Sequence, residues 1–428
     1  MIGTLARSTA RTTVVLVLRL VTLAAFLVLL ARLLPPELYG PYAALASLAV
    51  LLGLLPTLGC GYIMLSQASR DSKAIEYIWR AAWPLSLCVG AILLGLLMVA
   101  ISWMGMDRYL GHFIPAGIGI IELFMMPLIQ LCSWIHQANN QVARGQLLQW
   151  LPLGLRLAAT LPCLAISHDQ RLNTFVLLQI LAATIALIMS LGVTLKRFEL
   201  QSTPRLISAP ELRQGLSYCA MHVMAMNPSE IDKIAITQYA SAHEAGIYAI
   251  TNRVLGALMT PISALLLVAQ PDLFQMGEQR SARRRQLIRL IFFYGSAGGI
   301  LATLTMVLGG QILPWLFGSN YLDVSHLAPF IAAAALPLAL RISSGTVLVA
   351  LGHPFHRLIF EIVGVITLLA LISRLVPAYG LTGAAIALGC AELLMAVVGW
   401  LLVAYVLRRQ LGATNPCQEQ SPPPSKAL

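Results

Sequence analysis

Long apolar segments alternate with short polar segments along the whole chain. Each apolar segment holds about twenty residues, the length that an α-helix needs to cross roughly 30 Å of hydrocarbon. The pattern predicts an all-α polytopic membrane protein with twelve membrane-spanning helices. They cover residues 14–34, 41–62, 81–103, 113–135, 147–166, 174–195, 215–238, 247–270, 288–314, 327–351, 358–376 and 382–407.

A sequence repeat relates the two halves of this pattern. Residues 36–43 read P-E-L-Y-G-P-Y-A and residues 242–249 read A-H-E-A-G-I-Y-A, and each stretch joins one apolar span to the next. Because the polar segment 196–213 separates two sets of six spans, both sets enter the membrane from the same side, as in a parallel repeat. The predicted units are an N-terminal six-helix bundle at 1–200, a C-terminal six-helix bundle at 201–410, and a disordered cytoplasmic tail at 411–428.

The shared G-x-Y-A motif and four prolines mark special positions in both halves. We expect the motif to form tight turns outside the membrane, with tyrosines anchored at the interface and no role in substrate binding. Proline removes a helical hydrogen bond and permits bending. The prolines predicted to act as hinges are Pro56, Pro127, Pro261 and Pro337. Local packing around a kink is the alternative reading.

Composition and charge fit a membrane protein. Apolar residues make up 58% of the chain and charged residues 11%, against about 45–50% and 25% in soluble domains. The net charge of +11 comes from basic residues clustered in alternate connecting segments. This asymmetry predicts that both termini are cytoplasmic, and it does not resemble a nucleic-acid-binding face. The seven cysteines lack paired spacing and read as small hydrophobic residues.

No feature of the sequence suggests catalysis. The connecting segments are too short for a soluble catalytic domain on either side of the membrane. His353 and His356 have a metal-like spacing but no accompanying cluster of cysteines or carboxylates. We therefore predict that the chain is not an enzyme and needs no cofactor and no metal.

Several segments, taken in order, resemble one transporter family. Residues 29–61 resemble the opening of the polysaccharide-export flippases of the multidrug/oligosaccharidyl-lipid/polysaccharide exporter superfamily. The further matches are Ile231-Asp232-Lys233 with the motif at 245–249, L-F-G-S-N-Y at 316–321, and P-A-Y-G-L-T-G-A-A at 377–385. The resemblance extends over nearly the whole chain.

The resemblance implies a function and a set of partners. A protein of this kind moves a polyprenyl-pyrophosphate-linked oligosaccharide across the bacterial inner membrane for O-antigen, capsule or exopolysaccharide synthesis. The implied partners are that lipid-linked glycan, membrane lipids, a proton or sodium as coupling ion, and polysaccharide polymerase machinery, with no nucleic acid.

Ionisable residues inside the spans are the candidates for the site, because a charge in hydrocarbon is costly and normally faces a cavity or a partner. Basic residues suit the anionic pyrophosphate. Those predicted to bind it are Arg19, Arg156, Lys233, Arg253 and Arg341. The acidic residues predicted to couple transport to an ion are Glu122, Asp232 and Glu392. Each also has an ordinary alternative, which is an ion pair inside the protein or, for Arg19, contact with lipid headgroups.

Other functions stay open on the sequence alone. A multidrug cation antiporter of the same superfamily should have an acidic cavity, whereas the charges inside the spans are nearly balanced in sign. A membrane glycosyltransferase or ligase is disfavoured by the short connecting segments. A membrane scaffold without transport activity is the remaining alternative.

Overall fold

A computed structural model describes residues 2–68, 73–139, 141–166, 168–201, 203–225, 230–275 and 281–413. The N-terminal half contains α1 Ile2–Leu33, α2 Pro36–Gly53, α3 Cys60–Ala68, α4 Lys73–Trp103, α5 Asp107–Leu110, α6 Phe113–Ile120, α7 Met126–Ala138, α8 Val142–Thr160 and α9 His168–Phe198. The C-terminal half contains α10 Ala209–Ala225, α11 Ile231–Tyr239, α12 Ala242–Gln275, α13 Ser281–Gly309, α14 Leu313–Phe317, α15 Asp323–Ala332, α16 Ala335–Ala350 and α17 Pro354–Ala413. Within these ranges every regular element is helical.

Eight helices in the described ranges are long and apolar enough to cross a membrane, and the bent pair α15 and α16 makes a ninth. The all-helical prediction is confirmed, while the number twelve stays a prediction. Two of the predicted spans lie together in α17, which changes direction at Gly380, where φ is 57°. Predicted spans two and seven are each divided, between α2 and α3 and between α10 and α11. Residues 226–229 and the predicted tail from 414 onwards lie outside the described residues.

Three of the four predicted hinge prolines lie beside irregular backbone. Pro56 lies in the break between α2 and α3, where Leu58 has a φ of 41°. Pro127 follows a π-helical turn, Ile121–Met125. Pro337 lies in the first turn of α16, just after a 47° bend from α15, and Pro261 lies within α12. The hinge role itself stays a prediction.

The two G-x-Y-A motifs pack directly against each other, at what we call the α2–α12 crossing. A Cβ atom at Gly40 would collide with the carbonyl oxygen of Ala242, and one at Gly246 would collide with the carbonyl oxygen of Pro36. The contacts are reciprocal, because Pro36 and Ala242 occupy the same position in the two copies of the repeat. A pseudo-twofold axis therefore passes between the two glycines.

This geometry corrects the expectation that the motifs form interfacial turns. Both motifs lie in the first turns of long helices. Tyr39, Tyr42 and Tyr248 are buried inside the protein. The glycines allow two helix backbones to touch, as small residues commonly do in membrane helix interfaces.

Replacing Gly246 with alanine should therefore destabilise the fold. The added methyl group must push α2 away from α12, and overpacking of this kind costs about 1–3 kcal/mol. We expect a lower apparent melting temperature and less folded protein on size-exclusion chromatography in detergent. Gly389→Ala is the matched control, since a Cβ there meets no atom within 4 Å. Equal stability of the two variants would contradict the close crossing.

Candidate functional site

A cavity of about 400 Å³ lies between the two halves, and we call it the central cavity. It is enclosed by α1, α2, α11, α12 and α16. Its lining residues are Leu20, Leu23, Ala24, Phe26, Leu27, Ala46, Val50, Glu230, Lys233, Asn252, Arg253, Gly256, Ala257, Met259, Thr260, Ser263, Leu338 and Ile342. The volume falls in the range of small-molecule sites, about 300–1,000 Å³.

The central cavity has one apolar wall and one charged wall. The α1 residues that line it are leucines, an alanine and a phenylalanine. The charged wall is built by Glu230 and Lys233 of the α11 region with Asn252 and Arg253 of α12. Such a space suits a molecule with an ionic group and a hydrocarbon part.

Arg253 has a distinctive place on the charged wall. Within the ranges that the structure describes, it makes no hydrogen bond and no ion pair. Glu230 lines the same cavity, but its direct contacts are with Lys233 and Ser47, so the Arg253 guanidinium is available to an anionic ligand.

Lys233, in contrast, is held by neighbouring carboxylates. Its Nζ lies 3.3 Å from Glu230 Oε2 and 3.6 Å from Asp232 Oδ1. Glu230 also accepts a hydrogen bond from the Ser47 hydroxyl of α2. The negative charge of Glu230 is thus partly balanced by a neighbour before any ligand enters.

Asp232 is fully buried behind the charged wall. Tyr248 of the second G-x-Y-A motif donates its hydroxyl proton to Asp232 Oδ2 at 2.7 Å, and the Asn252 amide donates to the same oxygen. Tyr248 and Asn252 are four residues apart, so they share one face of α12. This network links the repeat motif to the position of Lys233.

Arg156 and Glu122 form an ion pair behind the apolar wall. Arg156 Nη1 lies 3.0 Å from Glu122 Oε1, and its Nε donates to Gln179 Oε1 at 2.8 Å. The Arg156 guanidinium also lies 5.8 Å from the ring centre of Phe26, which lines the cavity. Arg19 is exposed and donates to Gln149 Oε1 at 3.3 Å.

Arg341 lies in a separate ion-pair cluster between α16 and α17. Its Nε lies 2.6 Å from Glu392 Oε2 and its Nη1 lies 3.8 Å from Glu361 Oε1. Arg357 contacts the same Glu361 oxygen at 2.9 Å. Arg341 is only 1% exposed and does not line the central cavity. In this conformation the cluster joins helices of the C-terminal half.

Of the predicted substrate-binding residues, the structure brings Lys233 and Arg253 to the cavity. Arg19, Arg156 and Arg341 lie elsewhere in this conformation, because each has an internal polar partner. Of the predicted coupling residues, Asp232 adjoins the cavity, while Glu122 and Glu392 are held by arginines. The sequence did not predict that Glu230 and Asn252 line the cavity. The four-residue spacing of Tyr248 and Asn252 is a sequence signal for Asn252, because it places both side chains on one face of α12.

No group of three metal-ligating side chains occurs in the described parts of the chain. His353 and His356 contact each other, with ring centres 5.1 Å apart. Two imidazoles alone do not make a metal site of ordinary composition.

Comparison with known proteins identifies the family. Residues 29–326 match the family model described as polysaccharide biosynthesis protein. No curated protein matches the sequence at a significant level.

Solved structures give the fold. An inward-facing multidrug resistance MATE family transporter of the MOP superfamily is 12% identical, with a TM-score of 0.75 over 92% of this chain and 96% of its own. A MOP superfamily transporter from Pyrococcus furiosus is 13% identical, with a TM-score of 0.63 over 94% and 96%. An outward-facing MATE transporter is 13% identical, with a TM-score of 0.60 over 95% and 96%.

These fold relatives are transporters, in agreement with the prediction that the chain is not an enzyme. The family resemblance inferred from the motifs is confirmed. The chain is a multi-pass membrane protein with the fold of MOP superfamily transporters, and it belongs to the polysaccharide biosynthesis protein family.

Proposed function

We propose that this protein is a flippase that moves a polyprenyl-pyrophosphate-linked oligosaccharide across the membrane by alternating access. The observation that carries the proposal is Arg253 on the charged wall, opposite the apolar α1 wall, where it forms no ion pair with any described residue. A guanidinium presents a planar fork of donors that matches phosphate oxygens. The α1 wall suits the first hydrocarbon units of the lipid.

The size of the cavity supports a division of the substrate. A volume of about 400 Å³ accommodates a pyrophosphate with one or two sugars. The rest of a longer glycan must extend out of the cavity, and the polyprenyl chain must remain in lipid. The protein would then recognise the pyrophosphate end of the substrate, which is the same whichever glycan is attached.

The closed α2–α12 crossing supports alternating access between the two halves, residues 1–200 and 201–410. Arg253 is seven residues beyond Gly246, about 10 Å deeper along α12 at the helical rise. The crossing thus closes the end of the cavity nearest the repeat motifs. We propose that the crossing lies on the outer side of the membrane and that both termini lie on the cytoplasmic side. The higher similarity to an inward-facing relative, with a TM-score of 0.75 against 0.60, agrees with this orientation.

The rival function is multidrug cation antiport, which the MATE relatives suggest. A cation site needs a free acidic group in the cavity, but Glu230 is already contacted by Lys233 and Ser47. The Pyrococcus furiosus relative is described as having a binding pocket of reverse polarity that suggests a different function. In this chain Arg253, which has no ion-pair partner among the described residues, favours anionic cargo.

Coupling and location complete the proposal. Asp232 is the coupling group favoured by position, because it is buried, adjoins the cavity and lies 3.6 Å from Lys233. A proton or sodium ion bound there would reduce the negative charge beside Lys233.

The proposed location is the bacterial inner membrane, where polysaccharide polymerase machinery would receive the flipped product.

Arg253→Gln should abolish most of the transport. The amide cannot supply the charge or the fork, and a hydrogen bond to a charged group contributes about 1.5–3 kcal/mol. We therefore expect a roughly tenfold to hundredfold lower rate of translocation for a polyprenyl-pyrophosphate-linked sugar in proteoliposomes. Arg408→Gln, at an exposed position near the end of α17, is the matched control and should transport normally. Normal translocation by Arg253→Gln would remove this residue from the site.

Arg341→Gln should act on stability instead. Removing one member of a buried ion pair leaves Glu392 without its partner, at a cost of about 3–5 kcal/mol, while Glu361 keeps its contact with Arg357. We expect low yield and a lower melting temperature, measured by fluorescence-detected unfolding in detergent. A stable Arg341→Gln variant that fails only in substrate binding would return Arg341 to the list of binding residues.

Filling the cavity should block transport without unfolding the protein. A Cβ at Gly256 meets no atom within 4 Å, and this residue lines the central cavity. Gly256→Phe should keep the wild-type elution profile and melting temperature while translocation falls to background. Gly309→Phe is the control outside the cavity, with equally open space around its Cβ. Undiminished transport by Gly256→Phe would show that the substrate takes another route.

A further inference from the structure

His243 lies between two carboxylates that belong to different helices. Its Nδ1 is 2.7 Å from Glu37 Oε1 of α2, and its Nε2 is 3.3 Å from Asp323 Oδ2 of α15. Both ring nitrogens thus face an acceptor at the same time. A neutral imidazole has one N–H and can satisfy only one of them, whereas an imidazolium can donate to both.

The same contact joins the two copies of the repeat. Glu37 and His243 are 206 residues apart and occupy equivalent positions, three residues before Gly40 and Gly246. The repeat has therefore placed an acid in one copy and a histidine in the other, and they meet across the pseudo-twofold axis. The contact lies on the side of the crossing away from the central cavity, since Arg253 is ten residues further along α12.

Other cross-half contacts at this end do not depend on protons in the same way. Arg32 donates to the carbonyl oxygens of Leu316 and Trp315, and the Tyr321 hydroxyl donates to the carbonyl oxygen of Leu34 at 2.8 Å. These bonds keep their donors across the physiological pH range. Among the cross-half contacts of the described residues at this end, the contact of His243 with Glu37 is the one whose charge changes near neutral pH.

The charged surroundings of His243 are acidic. Glu37 and Asp323 face it from α2 and α15, and Glu244 on its own helix is bonded to the backbone amide and hydroxyl of Ser241. Arg32 from α1 is bonded to carbonyl oxygens, and His326 of α15 is exposed. Among the described residues, neither Glu37 nor Asp323 forms an ion pair with any other cation.

We propose that His243 is a proton-dependent latch that holds the α2–α12 crossing closed. When protonated, it bridges Glu37 and Asp323 and ties α2 to α12 and α15. When it loses the proton, one of the two contacts loses its donor and both lose their charge attraction. Closure of this end is therefore strongest at low pH and weakens as the pH rises through the range in which the imidazolium titrates.

The latch is accessible to protons and is independent of the cargo. The His243 side chain is 37% exposed, so it exchanges with solvent without opening of the crossing. The latch shifts the equilibrium between the closed and the open form of the α2–α12 crossing, whichever substrate the cavity carries. A failure of the flippase proposal would leave this inference standing, and the reverse is equally true.

Hydrogen–deuterium exchange of the full chain in nanodiscs tests the latch without any substrate. Peptides covering residues 36–42, 242–248 and 321–326 should be protected from exchange at about pH 5.5. They should exchange about fivefold faster at about pH 8.0, after correction for intrinsic rates. His243→Gln should give the faster exchange at both pH values, because the amide cannot become cationic.

Two further variants make the outcome decisive. His326→Gln removes another histidine from the same end and should keep the wild-type pH response. The double variant Glu37→Gln with Asp323→Asn removes both negative charges beside His243. It should therefore lose the pH response, and it tests the latch even if His243→Gln folds poorly. The latch is wrong if wild-type exchange at the crossing does not change with pH, or if the change persists in His243→Gln or in the double variant.

Discussion

The close approach of α2 and α12 is the constraint on which the rest of the structure depends. Glycine at positions 40 and 246 lets two backbones touch where any side chain would separate them. The contact fixes the first turns of both helices and buries Tyr39, Tyr42 and Tyr248 beside it. The central cavity lies beyond this contact along both helices, lined by Ala46 and Val50 of α2 and by residues of α12 from Asn252 onwards.

Charge in low dielectric explains the arrangement of the remaining polar residues. An ion without a partner in the membrane interior is costly, so most charges inside this protein are paired. Glu122 is paired with Arg156, and Glu392 with Arg341. Lys233 is held between Glu230 and Asp232. Arg253 lines the cavity without an ion pair among the described residues, and this makes it the proposed contact for an anionic ligand.

The two copies of the repeat motif share some residues and differ at others. The glycines and tyrosines of G-x-Y-A are kept in both copies, since both helices need the crossing. The position three residues earlier differs, with Glu37 in one copy and His243 in the other. Ser47 and Arg253 also stand at equivalent positions: Ser47 donates to Glu230, whereas Arg253 lines the cavity that Glu230 also lines. A duplicated scaffold can thus build an asymmetric site.

Hydropathy and the repeat were sufficient to predict an all-helical membrane protein of two related halves, and the ordered motifs were sufficient for the family. The sequence also selected Lys233 and Arg253 among the site candidates. The sequence alone could not show that Arg253 lines the cavity and Arg341 does not. Arg341 is paired with Glu392, 51 residues away, and that contact depends on how α16 packs against α17. The motif G-x-Y-A was misread as a turn, because glycine that permits a turn and glycine that permits helix contact look alike in one sequence. The change of direction at Gly380 lies between the predicted spans 358–376 and 382–407, so the sequence did indicate this break.

A cryo-electron microscopy structure of the full chain in nanodiscs with a polyprenyl-pyrophosphate-linked monosaccharide would test whether the cavity binds the anionic end of a lipid-linked sugar. We expect pyrophosphate density within hydrogen-bonding distance of the Arg253 guanidinium, with the first isoprene units against Leu23 and Leu27 of α1. Density for the pyrophosphate at the surface of the protein, with Arg253 still facing an empty cavity, would contradict this expectation.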